Sequence, residues 1–488
     1  MGLRIHKEPP LKAKHTGFDY QVETVEAIKN LEYSAVFHEQ GLGKTKIAID
    51  LALTWVQDGV VDSVLVVTKK ALVENWKNEI QFHSSLNPQI IGQKRRQNFF
   101  AFNSPARLYV THYEACISEE SRLLLFQKTR RLAIICDEAQ KFKNPQSAVA
   151  KCMFHIAPGF HRRIVMTGTP VANRPYDIWS LIFFLDQGQA LGTNFELFRS
   201  QHDLTARAHE NAAKREQFAT MLEAIFEKVR PFSVRTSKRD ANLSLPTKEI
   251  RVIQTEFEPA QRELYSRYRD ELRAEIVHDG EVRLDNAEDI LKRLLRLVQV
   301  ASNPFTIDES YTGVPGKVTD LLRIVSEELA PSEKAIVWTS FTDNADWLRH
   351  RLKAYGAVTV HGKMTIDRRN YNLDRFKHDP ECRVLIATPG AAKEGLTLTV
   401  ANFAIFFDRS FSLDDYLQAQ DRIHRISQNK ECFVFNLIMR DSVDEWVDTL
   451  LGAKHLAAQL TQGDIPRSQY EATASYEFKE MLKSVLGF

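Results

Sequence analysis

Short runs of β-branched and apolar residues recur along the chain, and longer helix-like stretches separate them. Toward the amino end the runs are SAVF at 34, VLVV at 64, RLYV at 107, LAIIC at 132 and RIVM at 163. A second series follows with AIVW at 335, VTV at 358, RVLIA at 383, FAIFF at 403 and CFVFNLI at 432. Apolar runs that alternate with helices are typical of buried parallel strands. The pattern predicts an α/β protein with two mainly parallel sheets flanked by helices.

The region between the two series has a different pattern, with apolar residues spaced three and four positions apart. One such stripe consists of Phe218, Met221, Leu222, Ile225, Phe226 and Val229, and a second of Ala287, Ile290, Leu291, Leu294, Leu295 and Val298. This spacing predicts amphipathic helices whose stripes pack in a core. We therefore expect residues 187–310 to be mainly helical, with one extended piece at KEIRVIQTEF.

Length and composition are those of an ordinary soluble protein with about three domains. The 488 residues include 43% hydrophobic positions, and Lys+Arg 65 against Asp+Glu 63 leaves a net charge of +2. No overall basic field exists, so any contact with nucleic acid must come from local patches. Such patches occur at Lys94-Arg95-Arg96, Arg130-Arg131 and Arg162-Arg163.

The five cysteines form no Cys-x-x-Cys pair, which fits a reducing compartment and gives no metal site. The beginning of the chain, MGLRIHKEPPLKAKHTG, lacks an apolar stretch of secretory length. No run of about 18 apolar residues occurs anywhere. These features predict an intracellular protein that does not span a membrane.

A loop of the phosphate-binding type follows the strand SAVF. The sequence HEQGLGKT contains Gly41, Gly43, Lys44 and Thr45 and leads into an amphipathic helix. Glycines let the backbone approach phosphate oxygens, and the helix N-terminus offers N–H groups. Lys44 supplies a positive charge and Thr45 a hydroxyl that can hold Mg²⁺. The strict pattern has a glycine where His38 stands.

An acidic pair and a threonine pair follow two later strands. Asp137 and Glu138 come directly after LAIIC, and Thr167 and Thr169 lie in MTGTP after RIVM. Parallel sheets bind their ligands at the carboxyl ends of the strands. There Asp137 can hold Mg²⁺ through water, and Glu138 can orient and deprotonate an attacking water.

Two arginines stand close together in QAQDRIHRISQ, residues 418–428. If this stretch is helical, Arg422 and Arg425 are nearly one turn apart and share a face. Their guanidinium groups could then converge on one multiply charged anion.

Taken in order, the motifs resemble those of the Swi/Snf-like family of superfamily-two, helicase-related, DNA-dependent ATPases. The resemblance rests on GFDYQ, HEQGLGKT, VLVVTKKALVENWKNEI, DEAQ, MTGTP, WTSF, ATPGAAKEGLTLT and QAQDRIHRISQ, and it covers residues from about 15 to 450. RPFSVRTSKRD and RLVQVASNP resemble the helical protrusion of the family and the entry to its second lobe. The resemblance implies two RecA-like lobes with a helical insertion, ATP and Mg²⁺ as cofactors, and a duplex across both lobes.

The resemblance also assigns roles to particular residues. It implies that Gln21 reads adenine, that Gly41, Gly43, Lys44 and Thr45 bind the nucleotide, and that Gly395 senses it. Asp137 and Glu138 would carry out the chemistry, with Thr45 and Asp137 at the metal. Arg422 and Arg425 would reach the γ-phosphate from the second lobe. The implied DNA contacts are Thr68, Lys69, Lys70, Thr111, Thr339, Ser340, His361, Gly362, Lys363 and Thr388.

Several positions depart from the pattern of the family. Gln140 replaces a histidine, His38 replaces an acidic residue, and Lys393 replaces a glycine. DRSFS replaces a run rich in proline and tryptophan. None of these changes removes a residue of the hydrolytic set, so they bear on the coupling of hydrolysis to DNA. Trp76 is expected to fix its helix from a buried position.

We expect an ATP-dependent translocase or remodeller of double-stranded DNA. The alternatives are a strand-separating DNA or RNA helicase and an ATP-gated DNA clamp in a defence or repair complex. The expected divisions are lobe 1 at 1–186, a helical protrusion and linker at 187–310, lobe 2 at 311–450 and a bracing or docking tail at 451–488. A partner protein could bind through the insertion or the tail. A prokaryotic or viral origin would make the protein cytoplasmic, and a eukaryotic origin would make it nuclear.

Overall fold

The computed structural model describes most of the chain. The described residues are 9–92, 94–171, 174–202, 212–241, 243, 245–278, 281–282, 287–392, 398–473 and 485–486. The chain divides into two compact units. Unit 1 comprises residues 1–203, 221–243 and 461–464, and unit 2 comprises residues 204–220, 244–460 and 465–488.

Within the described part of unit 1, seven strands form one parallel sheet in the order β3-β4-β2-β5-β6-β1-β7. The strands are β1 (Tyr33–Val36), β2 (Ser63–Thr68), β3 (Gln89–Ile91), β4 (Leu108–His112), β5 (Leu132–Asp137), β6 (Arg162–Met166) and β7 (Ser233–Val234). Alternate residues of β2 point to opposite faces, so that Leu65 and Val67 join one apolar cluster and Val64 and Val66 another. Helices cover both faces, as a buried parallel sheet requires.

The helices that begin in this half of the chain follow the strands in the usual alternation. They are α1 (Asp19–Ile28), α2 (Lys44–Gln57), α3 (Val73–His83), α4 (Arg95–Phe102), α5 (Tyr113–Ser118), α6 (Glu120–Thr129), α7 (Ala148–Ile156), α8 (Ile178–Asp186), α9 (Phe195–His202) and α10 (Ala212–Val229). The predicted stripe of α10 lies in the core at Phe218, Leu222, Ile225 and Val229.

Unit 2 has a parallel sheet of six described strands in the order β12-β13-β11-β14-β15-β8. The strands are β8 (Lys248–Thr255), β11 (Ala335–Trp338), β12 (Val358–Val360), β13 (Val384–Ala387), β14 (Phe403–Phe406) and β15 (Cys432–Met439), and β9 (Val277–His278) pairs antiparallel with β10 (Glu281–Val282). The helices are α11 (Pro259–Ile276), α12 (Ala287–Ser302), α13 (Gly316–Arg323), α14 (Thr342–Arg351), α15 (Ile366–His378), α16 (Pro389–Ala392), α17 (Leu413–Gln420), α18 (Val443–Thr461) and α19 (Arg467–Thr473).

Two parallel α/β sheets confirm the predicted fold class. All ten apolar runs named from the sequence are strands or lie almost wholly within strands. The extended piece KEIRVIQTEF contains β8, which pairs in register with β15 along its whole length. Residues 187–310 are therefore not confined to one unit, because this region supplies β7 to the first sheet and β8 to the second. In the tail, Val485 and Leu486 are buried, while Phe478, Met481 and Leu482 lie outside the described residues.

Candidate nucleotide site and predicted DNA contacts

The phosphate-type loop lies between β1 and α2, at the carboxyl edge of the unit 1 sheet. Gly41 and Gly43 both have positive φ angles, 85° and 65°, which other residues adopt only under strain. A Cβ atom at Gly43 would lie 2.6 Å from the side-chain nitrogen of Gln21. Lys44 opens α2, and its Nζ donates to the carbonyl oxygens of His38 at 2.9 Å and Glu39 at 3.2 Å. The loop thus leads directly into the N-terminus of α2, with Thr45 in its first turn.

Helix α1 holds this loop through two side chains. Tyr20 donates its hydroxyl to the carbonyl oxygen of Leu42 at 2.9 Å, and Gln21 Nε2 donates to the same oxygen at 3.2 Å. The other end of the Gln21 amide accepts the Phe18 N–H at 3.0 Å. Gln21 therefore lies beside the loop in a fixed orientation, which is compatible with its predicted role in reading adenine.

His38 connects the loop to the same helix. Its side chain is fully buried, and Nε2 lies 2.8 Å from Oγ1 of Thr24. Burial, together with the positive charges of Lys44 and Arg235, lowers the pKa of His38 to about 3. The imidazole is therefore neutral at physiological pH. The resembled family has an acidic residue at this position. In this chain a neutral histidine takes its place and connects the phosphate loop to α1 through Thr24.

Asp137 ends β5 and is held by donors from three directions. Trp76 Nε1 donates to Oδ2 at 2.8 Å, and the Thr68 hydroxyl donates to the same oxygen at 3.3 Å. The backbone N–H of Glu138 donates to Oδ1 at 3.0 Å. Trp76 is 1% exposed, so the predicted buried position is confirmed, and its indole orients the acidic motif.

The charge state of Asp137 reflects the same surroundings. Burial and the adjacent carboxylate of Glu138 raise its pKa to about 6. The hydrogen bond from Trp76 acts in the opposite direction, as do the ammonium groups of Lys44 and Lys69. Two neighbouring carboxylates under opposing influences of this kind are typical of catalytic sites.

Glu138 has an unusual backbone and two donors on one carboxylate oxygen. Its φ angle of 52° places it in the left-handed region, which is uncommon for a residue other than glycine. Lys69 Nζ lies 3.2 Å from Oε2, and the side-chain amide of Gln140 also donates to Oε2. Strained backbone of this kind concentrates at functional sites.

The remaining predicted DNA contacts in unit 1 differ in their exposure. Thr68 and Thr111 are buried, and Thr111 donates its hydroxyl to the carbonyl oxygen of Ile91 at 2.8 Å. Lys69 is partly buried beside Glu138, whereas Lys70 is exposed at the start of a short 3₁₀ turn. Of the four residues, the two lysines therefore offer the more accessible side chains.

The basic patches of unit 1 are largely engaged within the protein. Arg130 donates to Tyr109 and Ser104, Arg131 pairs with Asp62, and Arg163 pairs with Glu32. The side chains of Lys94, Arg95 and Arg96 remain exposed.

In unit 2, the predicted DNA contacts lie near the ends of the central strands. Thr339, which follows β11, is buried and donates to Oδ2 of Asp408 at 2.6 Å. The backbone N–H of Ser340 donates to Oδ1 of the same aspartate at 2.6 Å. Asp408 also accepts hydrogen bonds from Ser302 and Asn344. The first residue of DRSFS is therefore the centre of a buried network, which the motif pattern did not indicate.

The other residues of this set follow β12 and β13. His361 is 6% exposed and lies 3.3 Å from a carboxylate oxygen of Asp346, and Thr388 is also buried. Lys363 pairs with Asp343 at 2.6 Å on the surface, one residue after Gly362. Gly395 and Lys393 lie outside the described residues.

The stretch QAQDRIHRISQ is helical only at its beginning, so the condition for a shared helix face of Arg422 and Arg425 is not met. Helix α17 ends at Gln420, and the chain from Asp421 onward forms successive turns that contain both Arg422 and Arg425. Arg422 is 3% exposed, whereas Arg425 is partly exposed and its Nε donates to the carbonyl oxygen of Asp421 at 2.7 Å. The two side chains therefore do not share a helix face.

Gln428 holds the turns that follow α17. Its side-chain nitrogen donates to the carbonyl oxygens of Ile423 and Ala401, each at 2.9 Å, and its Oε1 accepts two backbone N–H groups. His424 is also tied into the fold, because its Nε2 lies 3.0 Å from the carbonyl oxygen of Pro246. Two of these partners, Ala401 and Pro246, are distant in sequence, and local helical spacing does not reveal them.

Comparison with known protein families gives two matches. The SNF2-related domain matches residues 20–306, and the helicase conserved C-terminal domain matches residues 316–427. The chain belongs to the SNF2-related family. This membership confirms the resemblance seen in the motifs and the predicted class of enzyme, an ATP-hydrolysing protein of the superfamily-two type.

Several individual proteins are similar to this member of the SNF2-related family. An uncharacterized ATP-dependent helicase of Mycoplasma pneumoniae is 27% identical over 445 residues, which make up 88% of this chain and 40% of that protein. The transcription regulatory protein SNF2 of Saccharomyces cerevisiae is 25% identical over 478 residues, 90% of this chain and 27% of that protein. The chain thus spans well under half the length of either relative.

A solved structure is also similar, the Sulfolobus solfataricus SWI2/SNF2 ATPase core in complex with dsDNA. It is 24% identical, the match covers 99% of both chains, and the TM-score is 0.43. Among the described residues of the present chain, no helix has the length and apolar character needed to cross a membrane.

Proposed function

We propose that this protein is an ATP-dependent translocase that moves along double-stranded DNA. The observation that supports the proposal is the assembly of Lys44, Asp137 and Glu138 at the carboxyl edge of the unit 1 sheet, in a chain that also contains a second parallel α/β unit. One such sheet would suffice to bind a nucleotide. Two such sheets, each in its own unit of one chain of this family, are suited to binding a DNA backbone in turn.

The residues of unit 1 divide the chemistry of ATP hydrolysis among them. Lys44 would leave its carbonyl partners and neutralise charge on the β- and γ-phosphates, while the N–H groups at the start of α2 bind phosphate oxygens. Glu138 would accept a hydrogen bond from the attacking water and take its proton. Asp137, held by Trp76, keeps the acidic motif in place while this happens.

The donor set also fits Mg²⁺. Thr45 and Asp137 offer a hydroxyl and a carboxylate, the hard oxygen ligands that Mg²⁺ prefers. Among the described residues, no cluster of three or more His, Cys, Asp or Glu side chains could hold a metal ion by itself. This suits a cation that is held by one or two protein ligands together with substrate phosphates. When bound, Mg²⁺ would neutralise charge on the phosphate oxygens.

Arg425 and Arg422 complete the proposed catalytic set. A guanidinium group that meets the γ-phosphate stabilises the charge of the transition state, and its removal can reduce turnover on the order of a thousandfold. Arg425 is the more accessible of the two. We therefore assign direct contact to Arg425, and for Arg422 the same contact would require the buried side chain to leave its present position.

Double-stranded DNA is the proposed track. Relatives include the ATP-dependent DNA helicase DDM1 of Arabidopsis thaliana, 25% identical over 435 residues, 83% of this chain and 56% of that protein. Contacts would be made mainly to phosphates, so binding would be indifferent to base sequence and would weaken steeply with salt. Exposed Lys70 and Lys363 are the simplest candidates for such contacts.

Displacement of a triplex-forming oligonucleotide tests the proposal. The assay detects movement along a duplex without requiring its strands to separate. We expect ATP-dependent displacement by the wild-type chain, no displacement with a non-hydrolysable ATP analogue, and no unwinding of an ordinary forked duplex.

Other outcomes would point to other functions. Efficient unwinding of the fork would identify a strand-separating helicase. DNA-stimulated hydrolysis without triplex displacement would identify a clamp that uses hydrolysis for release.

A further inference from the structure

The ion pair between Lys69 and Glu138 follows from the register of two neighbouring strands. β2 and β5 are parallel neighbours, and Val67 lies opposite Cys136. The residues that come next, Thr68 and Lys69 on one side and Asp137 and Glu138 on the other, therefore emerge side by side. Thr68 donates to Asp137 at 3.3 Å, and Lys69 Nζ lies 3.2 Å from Oε2 of Glu138.

The carboxylate oxygen Oε2 of Glu138 has two donors directed at it. One is the ammonium group of Lys69, and the other is the side-chain amide of Gln140. An attacking water must donate a hydrogen bond to this same carboxylate in order to be activated. The ammonium group and the amide compete with this water for the carboxylate, so the ion pair opposes that step.

Lys69 is also placed where a second anion could reach it. Its side chain is 18% exposed, and the residue after it, Lys70, lies on the surface. Phosphate oxygens are strong acceptors for ammonium groups and compete with a carboxylate for them. A duplex that binds to this segment would therefore bring phosphates to a lysine that already contacts the proposed general base.

We propose that Lys69 is a positioning residue that restrains Glu138 in the absence of DNA and releases it when a DNA phosphate takes the ammonium group. The proposal rests on the proposed function, and it specifies how the polymer regulates the hydrolytic site. Gln140 supports the restrained position as the second donor. Hydrolysis is then slow without DNA because the general base is engaged, and it becomes faster when the lysine changes partner.

The test compares Lys69→Met with wild type in steady-state phosphate release, with and without a random-sequence duplex. Methionine preserves most of the volume of the lysine stem and removes the ammonium group. We expect kcat without DNA to rise roughly fivefold, the factor given by loss of a partly exposed ion pair. The stimulation ratio should fall by at least the same factor, and KM for ATP should change little.

Two further variants serve as controls. Lys77→Met removes an ammonium group from α3 that pairs with Glu74 at 2.8 Å on the surface, and it should leave both rates unchanged. Lys69→Arg retains the charge and should preserve a low rate without DNA together with strong stimulation. Rescue by arginine separates the restraint from a general effect of altering this position.

A rate without DNA that is unchanged or lower in Lys69→Met would overturn the proposal, because Lys69 would then support Glu138 or be irrelevant to it. If wild type shows no stimulation by any DNA, the proposed function fails by itself. A raised rate in Lys69→Met would in that case still establish the restraint, while the exchange with DNA would be refuted.

Discussion

Asp137 and Asp408 occupy similar places in the two sheets, and their surroundings differ. Asp137 ends β5 and Asp408 lies just after β14. Each accepts a hydrogen bond from a threonine at or just after the end of a neighbouring strand, Thr68 in unit 1 and Thr339 in unit 2. Asp408 is 3% exposed and also accepts from Ser302, Ser340 and Asn344. Its carboxylate is the centre of a network that fixes α12, β11 and α14 around it.

Asp137 has fewer donors and a charged neighbour. Besides Thr68, it accepts hydrogen bonds from Trp76 and from the backbone of Glu138, and burial beside the Glu138 carboxylate raises its pKa to about 6. Buried carboxylates are stable when their oxygens are saturated by donors, and they are poised for chemistry when they are not. The comparison therefore favours a structural role for Asp408 and supports the functional role proposed for the pair at 137 and 138.

Glu138→Gln gives the largest expected effect. Glutamine retains the shape of the side chain but is a very poor base, so we expect kcat to fall on the order of a thousandfold, within the range for a general base. ATP affinity and the thermal midpoint should stay near those of wild type. Phosphate release and binding of a fluorescent ATP analogue provide the measurements.

The matched control for this variant is Glu119→Gln. Glu119 is another buried glutamate of unit 1, and it accepts hydrogen bonds from Asn98 and Arg122, each at 2.9 Å. Its replacement should lower stability and leave kcat of the folded protein unchanged. If Glu138→Gln instead reduced stability and spared kcat, the functional assignment of the acidic pair would be lost.

The sequence predicted most of the fold because burial of apolar runs decides which segments become strands. RLYV and LAIIC, for example, are short apolar runs of the kind that form buried strands of a sheet. β3 and β7 were not predicted; β7 has two residues, too few to show a periodicity, and β3 contains only two apolar residues, Ile90 and Ile91. The strand order was also inaccessible, since β2 lies between β4 and β5 only as a result of packing over long sequence separations.

The site could be predicted by residue type and not by contact. Lys44, Asp137 and Glu138 could be proposed from the sequence because phosphate and water chemistry demands such groups after strands. The hydrogen bond from Trp76 to Asp137 and the pairing of Lys69 with Glu138 depend on the register of β2 and β5, which local sequence does not contain. The turns that follow α17 are held by Gln428, which donates to the nearby carbonyl oxygen of Ile423 and to that of Ala401, 27 residues away. Helical spacing alone therefore gave the wrong geometry for the arginines.

Asp408→Ala gives the next largest effect, and that effect concerns stability. The substitution removes the acceptor of the Ser302 and Thr339 hydroxyls and of the Ser340 backbone N–H, at a cost of about 3 kcal/mol or more. For a unit of this size, that corresponds to a decrease in thermal midpoint of roughly 6 to 12 °C. Calorimetry or circular dichroism would measure it. A variant with an unchanged midpoint and abolished hydrolysis would show that Asp408 also acts in catalysis and would remove the contrast with Asp137.

Trp76→Phe gives the smallest effect and examines one donor to Asp137. Phenylalanine keeps an aromatic ring in the core but cannot donate to Oδ2. Because the Trp76 hydrogen bond lowers the pKa of Asp137, its removal should raise that pKa further above about 6. Asp137 is then ionised only down to a higher pH than in wild type. The acid limb of the pH profile of kcat/KM, which reports on the free enzyme, should therefore move to higher pH. Near neutral pH we expect kcat/KM to fall roughly tenfold, the effect of losing one hydrogen bond to a charged group.

Ser302→Ala, which removes one donor at 2.7 Å from Asp408, should shift stability slightly and leave the acid limb in place. If wild type and Trp76→Phe have the same acid limb of kcat/KM, the indole only fills space beside Asp137. Asp137 and Asp408 would then differ less in function than their hydrogen-bond donors suggest.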